Sequence, residues 1–396
     1  MPWRPVRLAQ VANFLGRTTG GLRAVVNTLG QAHCDSGGER QLIIPARRSE
    51  TLIGQGWQEV RLGAPKLPLS GNGYHVLVRR REVIAALESF APDVVEVHDQ
   101  TTLGWVGPWA RANGVASILF AHERLDHVLT TLPVLPGTVG AGLGRRWTAQ
   151  LASRFDMVVC ASQYAAEPFE HAENLCHIPF GVDLVQFRPP DAVGGCESAR
   201  GAWGGAGLRL LYMGRLYREK APELALDVIA RLRGWGVPAV LVMAGHGPME
   251  SRLRSRAVRE GLPIHFVGHV PEPQRVASLL GDADVVIAPG PRETFGLSAL
   301  EALACGTPVV AHSGGAACEL VTPQCGRLGQ NADELARGVY DLTTDRTVLA
   351  EAGRRARQRA QRYPWTATAR RMAALRADLL PVMATGTARE PASPVS

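Results

Sequence analysis

Two carboxylates lie around a predicted helix start in the stretch PGPRETFGLSALEALACGTPVV, residues 289–310. Glu293 falls in the loop before the helix, and Glu301 lies eight residues further on, about 12 Å away at 1.5 Å per helical residue. The first N–H groups of a helix have no partner inside it and attract anions. Carboxylates accept hydrogen bonds from hydroxyl groups, so the spacing suits a ligand with an anionic centre and two hydroxylated ends. An ordinary helix with acidic residues near its start has the same pattern.

Two cations follow a predicted strand in the stretch YMGRLYREKAPELAL, residues 212–226. Arg215 offers a planar fork of donors and Lys220 a point charge, and both suit phosphate. Lys220 is one of only two lysines among the 43 basic residues, which argues against a placement by composition alone. Two solvated cations on a surface turn are the alternative.

The first half of the chain offers weaker candidates at the ends of predicted strands. Gly20 and Gly21 precede a helical pattern in VANFLGRTTGGLRAVVNTL, where bare backbone could meet a phosphate. A tight turn explains the same glycines, because neither a GxGxxG motif nor a Walker lysine is present. His122 ends a buried strand in LFAHERLDH, and His98 occupies a similar place, where active-site groups of α/β folds collect. A structural histidine is the alternative at both positions.

The elements that must position these residues alternate short apolar runs with helical patterns, which indicates a doubly wound α/β fold. Strands are predicted at 93–99, 116–123 and 156–162, after two earlier ones in VRLAQVANF and RQLIIPA, and helices at 75–90 and 103–114. Gly- and Pro-rich residues 186–207 read as a linker, and a second βα series follows with strands at 208–216, 239–245, 264–270, 284–290 and 307–313. We therefore predict a domain at 1–185, a linker at 186–207, a second domain at 208–365, a last helix at 366–383 that returns to the first domain, and a disordered tail at 384–396.

The composition and net charge of the chain favour some classes of binding partner over others. The chain has 396 residues, 46% hydrophobic and 20% charged, and carries a net charge of +7, which favours anionic partners such as phosphates and acidic lipids. No zinc finger or RNP motif supports nucleic acid. Seven cysteines without a CxxC pair, no run of eighteen apolar residues, and a start without signal-peptide features predict a cytosolic protein with reduced thiols.

Taken together, the motifs resemble the retaining glycosyltransferases of family four, which have the GT-B fold. ETFGLSALE matches the E-x7-E motif of that family, and GRLYREK, AGHGPM, FVGHV, IPFGVDLVQFRP and the early GG loop follow in the family's order from about residue 6 to 375. Within the family, the chain is most similar to the actinobacterial phosphatidylinositol mannosyltransferases, which use GDP-mannose. This similarity rests on the segments VANF, EVHDQTTL, AHERLD and ETFGLSALEALACGTP. The resemblance implies two Rossmann-like domains facing across a cleft, an N-terminal one for the acceptor and a C-terminal one for the nucleotide sugar.

The resemblance also implies the role of each site residue. Arg215 and Lys220 match the pair that neutralises the donor diphosphate. Backbone groups at five positions would contact the phosphates: Gly20, Gly21, Phe295, Gly296 and Leu297. The remaining matches divide the donor between them: Glu293 binds sugar hydroxyls, Glu301 holds the ribose, His122 faces the transferring sugar and acceptor, and Gly245 and Val270 border the base.

The chemistry implied by the family is metal-independent and needs no cofactor. The transition state resembles an oxocarbenium ion with a departing nucleoside diphosphate, whose charge Arg215, Lys220 and the helix N-terminus would stabilise. Retention without a placed carboxylate nucleophile suggests front-face attack, unlike the two-carboxylate glycosidases. Glu293 is therefore expected to bind and not to act as a nucleophile.

A lipid acceptor would explain two basic segments of the first domain. Residues 128–147 mix apolar residues and glycine with Arg145 and Arg146, and residues 79–81 are all arginine. Such a face could dock on an anionic membrane surface, so the protein would be peripheral on the inner face of the plasma membrane. A solvated helix face with a flexible loop is the alternative.

Three other functions remain open at this stage. The same fold could use a UDP-sugar donor with a soluble or different lipid acceptor. A nucleotide-sugar-binding module without turnover would belong to another class, although intact Glu293, Glu301, Arg215 and Lys220 speak against it. A dinucleotide oxidoreductase is the most distant, because GxGxxG is absent after the first strand.

Overall fold

The protein is described from a computed structural model, which covers residues 4–15, 20–66, 74–130, 137–190, 203 and 207–380. The first half forms one sheet in the spatial order β3-β4-β2-β1-β5-β6-β7-β8. All neighbouring strands are parallel except β3 and β4, which form an antiparallel hairpin. The strands of this sheet are β1 Arg7–Val11, β2 Glu39–Ala46, β3 Glu50–Gly54, β4 Trp57–Gly63, β5 Val94–Val97, β6 Ala116–Ala121, β7 Met157–Cys160 and β8 Leu175–His177.

Helices pack on both faces of this sheet. The described helices of the first half are α1 Gly20–Asp35, α2 Arg80–Phe90, α3 Val106–Ala112, α4 Leu125–Thr130, α5 Gly137–Ala152 and α6 Gln163–Ala166, followed by a 3₁₀ turn at Glu167–Phe169. β1, β5 and β6 are buried almost throughout, because parallel strands covered on two faces need apolar side chains on both.

The second half forms a parallel sheet in the order β11-β10-β9-β12-β13-β14. Its strands are β9 Leu208–Met213, β10 Ala239–Ala244, β11 Ile264–Gly268, β12 Val285–Ala288, β13 Val309–His312 and β14 Gly326–Gly329. Its helices are α7 Pro222–Gly234, α8 Glu250–Arg259, α9 Pro273–Asp282, α10 Leu297–Ala304, α11 Ala317–Leu320, α12 Ala332–Thr343 and α13 Arg346–Ala360, with a 3₁₀ turn at Arg218–Lys220. The chain therefore has the predicted fold class, two doubly wound parallel α/β units.

The last helix, α14 at Trp365–Leu379, lies against the first half. Thr368 Oγ1 donates to the carbonyl of Pro179 at 2.9 Å, and an Arg371 guanidinium nitrogen donates to the carbonyl of His177 at 2.6 Å. The last helix thus joins the two halves behind the cleft. The exact domain boundaries stay predictions, because most of the linker at 186–207 and all of the tail at 384–396 lie outside the described residues.

The helix predicted at 75–90 begins later than expected. α2 starts at Arg80, and the preceding residues pass in an extended path along the end of the sheet, where the Leu77 N–H donates to Asn13 Oδ1 at 2.9 Å. The β3–β4 hairpin, β8 and β14 were not predicted at all.

Candidate functional site

The carboxyl ends of the two sheets face each other, and a loop of the second half reaches across. Thr294, between β12 and α10, donates from Oγ1 to the carbonyl of His122, which follows β6, at 2.7 Å. Ser162, after β7, donates from Oγ to the carbonyl of Thr294 at 2.6 Å. The backbone N–H groups of Gln163 and Tyr164 both donate to the carboxylate of Glu319, each at 3.0 Å. These bonds define a cleft between the halves, as the sequence predicts.

Two helix N-termini meet across this cleft. Gly21, in the first turn of α1, lies so close to α10 that a Cβ atom there would sit 3.3 Å from Leu297 Cδ1. Gly296 caps α10 with a φ of 92°, a left-handed conformation that favours glycine. The free N–H groups of α10 therefore begin at Leu297, in a place that α1 also approaches. The loop before Gly20 lies outside the described residues.

Lys220 and Glu293 form an ion pair inside the cleft. Their Nζ and Oε2 atoms are 2.7 Å apart, and both side chains are roughly three-quarters buried, with 23% and 22% of their areas exposed. Ala221 follows Lys220 with a φ of 44°, and Pro222 then begins α7. Burial alone would raise the pKa of Glu293, but Lys220, and more weakly Arg215, hold it below its ordinary value. Glu293 is therefore an ionised acceptor.

Arg215 provides the second cation of the site. Its guanidinium lies 3.5 Å from Glu219 and 5.1 Å from the centre of the Tyr217 ring, and its backbone carbonyl accepts from the Tyr212 hydroxyl at 2.8 Å. Burial disfavours the charged form, yet Glu123 and Glu219 outweigh it and raise the pKa of Arg215. The structure thus brings Arg215, Lys220 and Glu293 together, which the sequence could only suggest.

Glu301 lies within α10, eight residues after Glu293. No hydrogen bond or ion pair joins its carboxyl group to another described residue. Desolvation raises its pKa to about 8. An unpaired carboxyl group of this kind is neutral at neutral pH, so it can both donate and accept hydrogen bonds.

His122 is packed in an aromatic stack at the end of β6. Its ring lies 5.6 Å from Phe120 and 5.7 Å from Phe180, and its Nε2 atom is 2.9 Å from Nδ1 of His98. Burial, reinforced by His98, lowers the pKa of His122 well below its ordinary value. The sequence had placed His98 at a strand end without a partner, and the structure shows that the two histidines interact.

Gly245, Val270 and Phe295 complete the predicted set. Gly245 has a φ of 146°, and a Cβ there would collide with the carbonyl of Gly214, so only glycine fits between these strand ends. Val270 is half-buried beyond β11 and packs against the core. The Phe295 ring is buried, 5.2 Å from Phe180, so only the backbone of Phe295 is available to a ligand. The sequence predicts that the helix begins at Phe295. In the structure α10 begins two residues later, at Leu297.

Glu123 is a cleft residue that sequence reasoning missed. It directly follows His122, and partial desolvation raises its pKa while Lys220 and Arg215 oppose the shift. Its place in AHERLD, directly after a candidate residue, is the signal that could have identified it.

Three further features bear on metal binding and on membrane contact. Among the described residues, no three His, Cys, Asp or Glu side chains cluster closely enough to hold a metal ion. No described helix has the length and apolar character needed to cross a membrane. Arg79–Arg81, Arg145 and Arg146 are exposed, and residues 131–136 of the second basic segment lie outside the described residues. The membrane-docking face stays a prediction.

Known proteins match both halves. Residues 201–361 match the profile of the glycosyl transferases group 1, and residues 19–186 match that of glycosyltransferase family 4. The GDP-mannose-dependent alpha-(1-6)-phosphatidylinositol dimannoside mannosyltransferase of Mycobacterium tuberculosis (strain ATCC 25177 / H37Ra) is 39% identical over 93% of this chain and 95% of its own length.

Solved structures share the fold at lower identity. Sucrose-phosphate synthase from Thermosynechococcus elongatus aligns with a TM-score of 0.77 at 21% identity, covering 94% of this chain and 99% of that chain. Anabaena HepE in complex with UDP-glucose aligns with a TM-score of 0.73 at 18% identity, covering 94% and 100%.

This chain belongs to the family 4, group 1 glycosyltransferases. It has the GT-B fold of that family and is a glycosyltransferase, as the resemblance implied.

Proposed function

We propose that this enzyme transfers mannose from GDP-mannose to a phosphatidylinositol mannoside, with retention of the anomeric configuration and without a metal ion. The observation that carries the proposal is the match to the M. tuberculosis enzyme, whose name states both donor and acceptor. The match extends over both halves at 39% identity, so it includes the acceptor side as well as the nucleotide side of the cleft.

The donor diphosphate would bind where the two helix N-termini meet, beside Lys220 and Arg215. Breaking the bond between C1 and the phosphate oxygen builds negative charge on the departing diphosphate. The two cations and the free N–H groups at the start of α10 would stabilise this charge more strongly in the transition state than in the bound donor. Such preorganised donors in a cleft shielded from water are an effective means of lowering the barrier.

Glu293 would bind hydroxyl groups of the transferring sugar. The carboxylate is ionised and already ion-paired with Lys220, so its Oε1 atom remains an acceptor for a sugar hydroxyl. Retention then proceeds by front-face attack: the acceptor oxygen bonds to C1, the C1–phosphate bond breaks, and the departing phosphate oxygen takes the acceptor proton. The products are the mannosylated lipid and GDP.

Glu301 would hold the ribose of the donor, because a protonated carboxyl can donate to one hydroxyl oxygen and accept from another. Gly245 and Val270 would border the base. His122 and Glu123 lie on the acceptor side of the cleft, where the lipid headgroup would enter. The exposed arginines of the first half would face anionic lipids, so the proposal puts the reaction on the inner surface of the plasma membrane.

The test is a donor panel followed by turnover. Calorimetry compares GDP-mannose with UDP-glucose and GDP alone, and the expected result is tight binding of the GDP ligands only. Turnover with phosphatidylinositol mannosides in the presence of EDTA, with the product anomer read by NMR, tests acceptor, metal independence and retention. Lys220→Ala, expected to lower kcat by about 100-fold or more, serves as the low-turnover control.

Each departure has a distinct meaning. Binding of UDP-glucose in place of GDP-mannose would replace the donor in the proposal. GDP-mannose binding without turnover on any phosphatidylinositol mannoside would leave only a nucleotide-sugar-binding module. Loss of turnover in EDTA, restored by Mg²⁺, would contradict metal independence.

A further inference from the structure

A chain of polar side chains, most of them fully buried, crosses the first sheet beneath His122. It runs through four neighbouring strands, β2, β1, β5 and β6, along the side chains Arg40, Gln10, Glu96, His98 and His122. Arg376, on the last helix α14, joins this row of side chains by donating a hydrogen bond to Glu96. Burying this many polar groups is unfavourable unless each is paired, so the arrangement of donors and acceptors is strongly constrained.

Glu96 stands at the centre of this chain with none of its surface exposed. Arg40 Nε donates to Gln10 Oε1 at 2.8 Å, which fixes the amide so that Gln10 Nε2 donates to Glu96 Oε2 at 2.9 Å. Arg376 Nε donates to the other oxygen, Glu96 Oε1, at 2.8 Å. Burial works to raise the pKa of Glu96, but Arg376 and His98 hold it far below its ordinary value. Glu96 is therefore an ionised carboxylate that can only accept.

The carboxylate determines which nitrogen of His98 carries a proton. His98 Nε2 is 3.7 Å from Glu96 Oε2, and none of the described residues accepts a standard hydrogen bond from this nitrogen. A proton on Nε2 faces the negative charge favourably, whereas a lone pair there would be repelled. Burial lowers the pKa of His98 despite Glu96, so the ring is neutral and its Nδ1 atom is an acceptor.

The tautomer of His98 in turn determines the tautomer of His122. Its Nε2 atom lies 2.9 Å from the acceptor Nδ1 of His98, so Nε2 must carry the proton and donate. Because His122 is also neutral, its Nδ1 atom keeps a lone pair, and none of the hydrogen bonds among described residues uses this atom. Nδ1 is thus left as an acceptor.

We propose that Glu96 is a positioning residue which, through His98, holds His122 in the tautomer with Nε2 protonated and Nδ1 accepting. Given the proposed function, the acceptor Nδ1 takes a hydrogen bond from a hydroxyl of the sugar or the lipid headgroup. Arg376 keeps Glu96 ionised, so the last helix is part of the apparatus that orients His122.

Other charges around the chain act in the same direction. Arg40 and Arg376 both oppose protonation of His98, which Glu96 alone favours. His33, on α1, faces Arg376 and binds the carbonyl of Val6 with its Nε2 atom at 2.9 Å, and burial lowers its pKa as well. His33 therefore adds no positive charge near neutral pH, and both histidines of the relay remain neutral.

The test is ¹⁵N NMR of protein labelled at histidine, which reads the protonated nitrogen of each ring directly. His98→Asn and His122→Asn assign the two signals. At about pH 7.5 both rings are expected to show protonated Nε2 and unprotonated Nδ1. A protonated Nδ1 on either ring, or a doubly protonated His98, would overturn the proposal. The readout needs no substrate, so it stands whether or not the enzyme uses GDP-mannose.

Glu96→Gln tests the cause. The amide can donate or accept toward His98, so the tautomer preference should be lost and both forms of His122 should appear. For the reaction, kcat should fall by about tenfold or more with the donor KM unchanged, the pattern of a group that orients another. Unchanged tautomers in this variant would refute the role of Glu96. If the unpaired Arg376 prevents folding, Glu96→Gln combined with Arg376→Gln removes the buried charge and carries the same measurement.

Discussion

The partly buried carboxyl group of Glu301 makes the stability of the protein depend on pH in a direction that can be calculated. Its pKa is about 8 in the folded protein, against an ordinary value of 4.5. Between these two values the folded chain holds a proton that the unfolded chain has released. Raising the pH therefore favours the unfolded chain, and the stabilising effect of the protonated form is lost as the pH rises toward about 8.

The magnitude follows from the linkage relation. One proton of difference lowers the free energy of unfolding by about 1.4 kcal/mol for each pH unit. From about pH 5.5 to about pH 7.5, the wild type should therefore lose about 2.5 kcal/mol relative to Glu301→Gln, whose amide mimics the neutral acid and does not titrate. All other titrating groups are common to both proteins and cancel in this difference.

The measurement is equilibrium urea unfolding of wild type and Glu301→Gln at three pH values in this range. Glu88→Gln is the matched control, because Glu88 is an exposed glutamate on α2, and its difference from wild type should stay within about 0.5 kcal/mol at every pH. A difference between wild type and Glu301→Gln that does not change with pH would refute the assignment of a neutral, desolvated Glu301.

Arg215→Ala and Lys220→Ala should each lower kcat by about 100-fold or more, because each removes a cation from the site of the departing diphosphate, while Arg218→Ala, exposed on the same turn, should keep wild-type kcat; equal losses in all three would contradict the assigned roles. Glu293→Gln should raise the donor KM, and mass spectrometry of the wild type during turnover should detect no covalent mannosyl-enzyme, whereas a mannose adduct on Glu293 would make it a nucleophile. Because the pKa of His122 is lowered well below 6.5, its ring stays neutral as the pH falls through that value, so kcat should be constant from about pH 7 to about pH 6, a range in which Glu301 also keeps its proton; an inflection in kcat near pH 6.5 would be evidence against a neutral histidine.

The strands that the sequence predicts are those whose side chains are buried on both faces. β5 and β6 are mostly apolar because helices cover both sides, with Glu96 and Ser117 as their polar members, and such runs stand out from the surrounding polar sequence. The strand β3 is an exposed edge with Ile53 mostly open to solvent, and β8 has only three residues, so neither has a distinctive pattern. Their positions are set by neighbouring strands and not by their own composition.

The residues of the candidate site could be predicted from local sequence, but the contacts between them could not. Local sequence locates Lys220 at a strand end and Glu293 before a helix, but their ion pair joins residues 73 positions apart. The bond between Arg376 and Glu96 spans 280 positions and depends on the last helix crossing back to the first half. Strand order brings His98 beside His122, and no spacing of residues along the chain encodes that order.

The bonds that hold the two halves together at the mouth of the cleft have one property in common. Every one of them has a backbone atom on at least one side: the carbonyls of His122 and Thr294 and the N–H groups of Gln163 and Tyr164. Among the described residues of the first half, the Ser162 hydroxyl is the one side-chain group in these four bonds, so other side chains at this mouth can change while the four bonds are kept. An acceptor domain can thus diverge, or be exchanged for that of a relative to make a chimera, provided its main chain follows the same path and it keeps a buried partner for Arg376.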